Sequence, residues 1–149
     1  MLSKMASELL VAIDGSKHSE KIVKYASSLA KRLKASVVLT YISPKSEVPE
    51  DYREFARNEN IEELEYFHEI GEAILEKYSS ILKLEGITHE TLTDFGNPAE
   101  RIVLLAETRN AELIIVGMQG LHGLGRMRSL ESVSRRVVES SSIPVIVVP

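Results

Sequence analysis

Residues 9–16 read Leu-Leu-Val-Ala-Ile-Asp-Gly-Ser. An apolar run closed by Asp14-Gly15-Ser16 predicts a buried strand that ends in a turn. Ser16 is placed to cap a helix. Ile22, Ala26, Leu29 and Leu33 then recur at steps of three and four, with Val23 and Ala30 beside them. That is the stripe of an amphipathic helix. Val37 to Ile42 is a second apolar run without alternation, as expected of a central parallel strand covered on both faces.

The same alternation continues along the chain. After Pro44 and Pro49 comes a long helical region that starts near Glu50 and breaks near Asn58 or Asn60. Ile61, Leu64, Phe67, Ile74, Leu75, Tyr78, Ile81 and Leu82 give it an apolar face down to Leu84, and Gly86 ends it. Ile87 to Phe95 reads as a third strand, polar enough for a sheet edge. Asn97-Pro98-Ala99-Glu100 is a helix start, with Asn97 as cap and Pro98 in the first turn. Leu113 to Val116 is the fourth strand and Val145 to Val148 the fifth. Between them a last helix begins near Ser129 or Ser132 and turns Val133, Val137 and Val138 inward. Strands alternating with helices predict a mostly parallel sheet with helices on both faces and right-handed crossovers.

Composition bounds the function. The 149 residues suit one domain, 1–149, and the 44% hydrophobic and 27% charged residues suit a water-soluble one. No run of about 18 apolar residues is present to span a membrane. Met1 to Ser7 lacks a signal-peptide pattern, and the absence of cysteine removes disulfides and thiolate chemistry, so a cytoplasmic location is expected. The net charge is −4, and seven glutamates lie between Glu59 and Glu76 without a Lys or Arg among them. Such a surface repels a nucleic-acid backbone, so no nucleic-acid partner is expected. The four histidines show no metal-ligand spacing.

Half of the chain's eight glycines, Gly117, Gly120, Gly123 and Gly125, crowd into the segment after the fourth strand. A strand, a glycine loop and a helix start form a geometry in which free amides can hold a phosphate. The Gly-x-x-x-x-Gly-Lys-Ser/Thr loop and the dinucleotide fingerprint are both absent. A glycine-rich connection without a ligand fits the spacing equally well. Asp14, at the end of the first strand, can accept hydrogen bonds from a ribose or an adenine amino group, or can simply form a turn before glycine. Asp14, Ser16 and His18 are sequence neighbours with no evident way to chain into a hydrolytic triad.

Taken together, these stretches resemble the universal stress protein family over nearly the whole chain, from Glu8 to Val148. The resemblance is carried by residues 9–16, by Gly96-Asn97-Pro98-Ala99-Glu100-Arg101-Ile102, by Leu113 to Gly120, by Ser132-Val133-Ser134 and by Ile143 to Val148. It implies an open five-stranded parallel sheet in the order 3-2-1-4-5, of Rossmann-like α/β class. It also implies a homodimer built by pairing the last strands, Val145–Val148, and a role in the stress response. One branch of the family binds ATP or a related adenine nucleotide through Gly-x-x-Gly, nine residues, then Gly-Ser or Gly-Thr.

Here Gly117 and Gly120 match the first half of that signature and Ser132-Val133-Ser134 the second. Glu131 stands where the family has glycine, and Leu121 to Leu130 is ten residues instead of nine. The resemblance assigns Ala12, Asp14 and Ile42 to the adenosine. Gly117, Gly120, Ser132 and Val133 lie toward the phosphates, Val116 belongs to the same nucleotide site, and Arg126 and Arg128 can grip phosphate oxygens in a bidentate fork. The expected ligand is ATP, ADP or AMP, with or without Mg2+. Glu131 suits the first turn of a helix, where an acid stabilises by about 0.3–1 kcal/mol, and so takes the charge niche of a phosphate. Two unit charges about 5 Å apart repel by about 0.8 kcal/mol in water and by several times more in a drier site. No general base or metal-ligand set is evident that would make ATP hydrolysis more than slow, so no catalytic residue is assigned. The alternative reading is a member of the branch without nucleotide, acting as a dimeric interaction or adaptor module.

Overall fold

The computed structural model describes residues 7–44, 50–59, 63–118 and 127–149. In chain order the elements are β1 (Glu8–Ile13), α1 (His18–Leu33), β2 (Ser36–Ser43), α2 (Glu50–Glu59), α3 (Glu63–Leu84), β3 (His89–Phe95), α4 (Pro98–Thr108), β4 (Leu113–Gly117), α5 (Met127–Ser140) and β5 (Val145–Val148). The five strands form one parallel sheet in the order β3-β2-β1-β4-β5. The chain is thus an α/β protein with a Rossmann-like doubly wound sheet.

Each central strand alternates between two cores. Leu9, Val11 and Ile13 of β1 pack with Val37, Leu39 and Tyr41 of β2 under α1 and α3. Leu10 of β1, Val38 and Ile42 of β2 and Ile114 and Val116 of β4 pack under α4 and α5. Both faces are buried, which is why β1, β2 and β4 read as apolar runs without alternation. Going from β1 to β3 the chain winds toward one edge with α1 and α3 on one face. At α4 it crosses to the other face and winds toward the opposite edge. The direction reverses between β1 and β4. As expected, β3 is an edge strand, and its residues are half-buried or exposed.

The helix ends explain several departures from the sequence reading. After α1, α3 and α4 the chain closes with the same pair of backbone bonds. Ala35 N donates to Ala30 O, Ile87 N to Leu82 O and Ala111 N to Ala106 O, each at 2.9 Å. The residues before them, Lys34, Gly86 and Asn110, have φ of 54°, 68° and 54°. This is the left-handed helix stop, in which the following apolar residue folds back onto the last turn. Ile87 is therefore used by the end of α3 and buried there, and β3 begins at His89, two residues later than expected. Leu33 and Leu84 fall past the buried stripes of their helices and are exposed. At α4 the expected start is found: Asn97 Oδ1 accepts from Glu100 N at 3.1 Å, with Pro98 in the first turn.

An ion cluster ties the amino ends of the strands together. Arg109, just past α4, donates from Nε to Glu8 Oε1 of β1 at 2.7 Å and from Nη2 to Glu90 Oε2 of β3 at 2.7 Å. Its hydrogen bond to Glu8 holds the Arg109 guanidinium pKa above its ordinary value, against the opposing effect of partial burial. No helix among the described residues is long and apolar enough to cross a membrane.

Candidate functional site

In an open α/β sheet the crevice for ligands lies beyond the carboxyl ends of the strands, where the winding direction reverses. Here that place is between the ends of β1 and β4, flanked by β2. The register ranks the strand ends by length. The β1–β2 ladder stops at Ile13↔Tyr41, whereas the β2–β3 ladder continues through Ile42↔Asp94 to Ser43↔Phe95. Ile42 thus stands one step past the last β1–β2 pair: by the register its N–H closes that ladder on Ile13 O, and its carbonyl is left without a strand partner on that side. A buried carbonyl without a strand partner needs some other hydrogen-bonding group.

Four predicted site residues converge on one face. Ile42 and Val116 belong to the core under α4 and α5, and Ala12 and Val133 pack against it. The β1–β4 pairs Leu10↔Ile114 and Val11↔Ile115 carry Ala12 to the level of Val116, and Ala12 pairs with Thr40. Ala12, the smallest side chain on this face of β1, sits at the reversal. Gly117 closes β4 opposite Val148. Gly120 and Arg126 lie outside the described residues. Arg128, Glu131 and Ser132 fall within α5, but their side chains are outside the description. The helix itself begins at Met127, ahead of the expected Ser129 or Ser132, so its first turn holds no acid and Glu131 does not lie in that turn, where it was expected. Val133 and Val137 face inward as expected, whereas Val138, a further 100° around the helix, is 51% exposed.

The β1–α1 turn is built around Asp14. Asp14 Oδ1 accepts from Ser16 N at 2.9 Å and from Ser19 Oγ at 3.4 Å, and Gly15 N donates to Ser19 Oγ at 3.2 Å. Ser16, expected to cap α1, does not do so. Residue 17 takes the cap position without a side-chain bond, and Ser16 Oγ is buried with no hydrogen-bond partner among the described residues. The Asp14 carboxylate already holds the Ser16 amide, and Ser19 supplies the hydroxyl that closes the loop. Gly15 has φ of 83°, and a Cβ there would lie 2.9 Å from Ile74 Cδ1 of α3. From the same helix the buried Tyr78 hydroxyl donates to Ser16 O at 3.0 Å. The turn-forming role of Asp14 is therefore realised, in a loop pressed against α3.

On the other side of the crevice, Val148 O accepts from Met118 N and from His18 Nε2–H, each at 2.9 Å. A carbonyl only accepts, so the proton is on Nε2. Lys21 Nζ donates to Pro149 O at 2.6 Å. His18 is thus directed to the end of β5, and no Asp14–Ser16–His18 chain forms. Sequence reasoning missed Ser19, Ile74, Tyr78 and His18 as the parts that hold this rim. Ile74 and Tyr78 were legible only as members of an apolar stripe, and nothing in the sequence linked His18 to residue 148.

The universal stress protein family model matches residues 5–149. The universal stress protein YxiE of Bacillus subtilis is 33% identical over 155 residues, covering 97% of this chain and 99% of that protein. A universal stress protein solved in complex with cAMP superposes with a TM-score of 0.68 at 24% identity, covering 96% of each chain. The universal stress protein of Archaeoglobus fulgidus in complex with dAMP gives a TM-score of 0.67 at 20% identity, covering 98% of this chain and 100% of the other. At these identities the two structures speak for the fold, and the family match and the Bacillus relative speak for descent. The chain belongs to the universal stress protein family.

Proposed function

We propose that this protein binds an adenine nucleotide at the carboxyl ends of β1, β2 and β4, as a cytoplasmic homodimer with a role in the stress response. The observation that carries the reading is the staggered end of the sheet. Ile42 extends past β1 and offers a carbonyl without a strand partner above a floor made by Ala12 and Val116. A flat, mostly apolar ring with polar atoms on its edge fits such a place, its face on the floor and its edge on the Ile42 backbone. Structural neighbours solved with cAMP and dAMP support the ligand class. Asp14 would face the ribose. Gly117, Gly120, Ser132 and Val133 would meet the phosphates, with Arg126 and Arg128 as counter-charges and Mg2+ carried by the phosphates. Among the described residues no cluster of three or more His, Asp or Glu could hold a metal by itself.

Thermal melting with ATP, ADP, AMP, cAMP and GTP, with and without Mg2+, tests the reading. A ligand at 100 times its dissociation constant should add about 2.7 kcal/mol to the stability of the folded state. Stabilisation by adenine nucleotides and not by GTP is expected. No shift with any adenine nucleotide would favour the second reading, an interaction module without nucleotide, which Glu131 and the ten-residue spacing support.

Glu131→Gly separates the two further. It removes a negative charge and a side chain from the phosphate end, so ATP affinity should rise by about three- to tenfold, an electrostatic gain of about 1 kcal/mol. Adenosine, which has no phosphate, should be unaffected in the same titration. Equal changes for ATP and adenosine would show that residue 131 does not face the phosphates.

A further inference from the structure

We infer that Tyr78 of α3 is a positioning residue for the Asp14 carboxylate, acting through the Gly15–Ser16 peptide. The inference rests on the adenine-nucleotide reading for its consequence, and on the loop geometry alone for its cause. The Tyr78 hydroxyl lies 3.0 Å from Ser16 O and 3.4 Å from Gly15 O, so one proton is shared between two consecutive carbonyls. Gly15 C=O and Ser16 N–H belong to the same planar peptide unit and point in opposite directions. Tyr78 reaches the carbonyl end of that plane with its longer contact, at 3.4 Å, and holds the next plane, Ser16–Lys17, with the shorter, at 3.0 Å. The amide end donates to Asp14 Oδ1 at 2.9 Å. Turning the plane would take the amide away from the carboxylate, so the orientation of Asp14 depends on the grip from α3.

The grip is stiff. Tyr78 is buried and packs in the core under α1 and α3, and a buried hydroxyl holds its acceptor because the alternative is an unsatisfied polar group. Beside it, Ile74 packs where a Cβ on Gly15 would be, so the loop cannot sink toward the helix. Glycine supplies the positive φ, and α3 selects which way the resulting peptide faces. Without the hydroxyl, the Gly15–Ser16 plane has no side-chain bond on its carbonyl side among the described residues. A core phenylalanine would fill the same space and release the Gly15–Ser16 peptide whose amide the Asp14 carboxylate accepts from. The hydroxyl is therefore a functional part of the crevice rim, although it is on the opposite face of the sheet from Ala12, Ile42 and Val116.

Tyr78→Phe tests this with calorimetric titration of AMP and of 2′,3′-dideoxy-AMP, which lacks the ribose hydroxyls that Asp14 would accept from. Affinity for AMP should fall by about five- to tenfold, the cost of one hydrogen-bonded group misplaced. Affinity for dideoxy-AMP should be unchanged. A second measurement needs no ligand: amide hydrogen exchange at Ser16 should speed up about tenfold in the variant, with Val11 in β1 unaffected. An equal loss for both nucleotides would overturn the inference, as would unchanged Ser16 exchange. Should the parent protein bind neither nucleotide, the adenine-nucleotide reading falls, and Ser16 exchange alone decides whether Tyr78 positions the loop.

Discussion

If β5 pairs with its copy in the proposed homodimer, replacing Val147 with proline should turn that dimer into a monomer while leaving the fold intact. The bonds of β5 decide which of its residues face outward. Ile114 N donates to Pro144 O and Met118 N to Val148 O. The N–H and C=O of one strand residue point to the same side, so residues 144, 146 and 148 face β4 and residues 145 and 147 face the open edge. A strand edge of this kind is a template for pairing with a second copy. Proline at residue 147 removes one outward N–H and puts a ring in the path of the approaching strand, yet takes nothing from the β4 ladder. In a two-fold dimer the loss occurs twice. Two hydrogen bonds at about 1–1.5 kcal/mol each raise the dimer dissociation constant by about a hundredfold.

Ile146→Pro supplies the contrast. Its N–H faces β4, so proline there should damage the monomer itself and lower the melting temperature sharply. Sedimentation equilibrium over a concentration series, with circular dichroism melts, reads both outcomes. A Val147→Pro protein that remains as tightly dimeric as its parent would rule out β5 pairing as the interface. The result also bears on the crevice, because Val148 O is shared by Met118, at the mouth of the glycine segment, and His18, at the start of α1. The edge strand and the rim of the candidate site are thus joined at a single carbonyl.

The order of the sheet came from the resemblance to the family, whereas the central strands were legible from the residues because both faces of the sheet are buried. Unbroken apolar runs at residues 9–13, 37–42 and 113–116 mark central strands, and the polar residues 89–95 mark an edge. Choices between chemically equal groups were not legible. Ser16 and Ser19 both offer a hydroxyl at the start of α1. The selection of Ser19 follows from Asp14 having taken the Ser16 amide, a fact of three dimensions. Tyr78 has the same periodicity whether its hydroxyl is idle or holds a loop 62 residues away in sequence. Ile87 extends an apparent strand until the left-handed turn at Gly86 assigns it to the helix. Of the proposed site, Ala12 and Ile42, the residues assigned to adenosine, were placed from the sequence on the right strands. The helix that fixes the Asp14 loop was not, since its contact with the loop crosses the chain at long range.

Gly71→Ala is expected to destabilise the protein by about 1–3 kcal/mol, although alanine is the better helix former by about 1 kcal/mol. Gly71 is buried in α3, where the helix crosses β2 and β3. A Cβ at this position would lie 2.4 Å from Thr93 Cγ2, 3.2 Å from Thr93 Cβ and 3.2 Å from Tyr41 Cδ1. The nearest of these is far inside contact distance, and Thr93 has little freedom to move it. Its β-branched side chain is restricted at χ1, and its hydroxyl lies 3.0 Å from His68 Nδ1. Tyr41 is buried on the same face and blocks a retreat along β2. The helix must therefore lift from the sheet, which loosens Ile74 and Tyr78 one and two turns further along. Thr93→Ser supplies the decisive control. Serine keeps the hydroxyl for His68 and deletes the methyl that the new Cβ would strike. The pair Gly71→Ala with Thr93→Ser should then recover most of the loss, with a coupling of about 1–2 kcal/mol in a double-mutant cycle read by urea denaturation. Strictly additive effects would mean that the two residues do not meet, and that the close approach of α3 to β3 is set elsewhere.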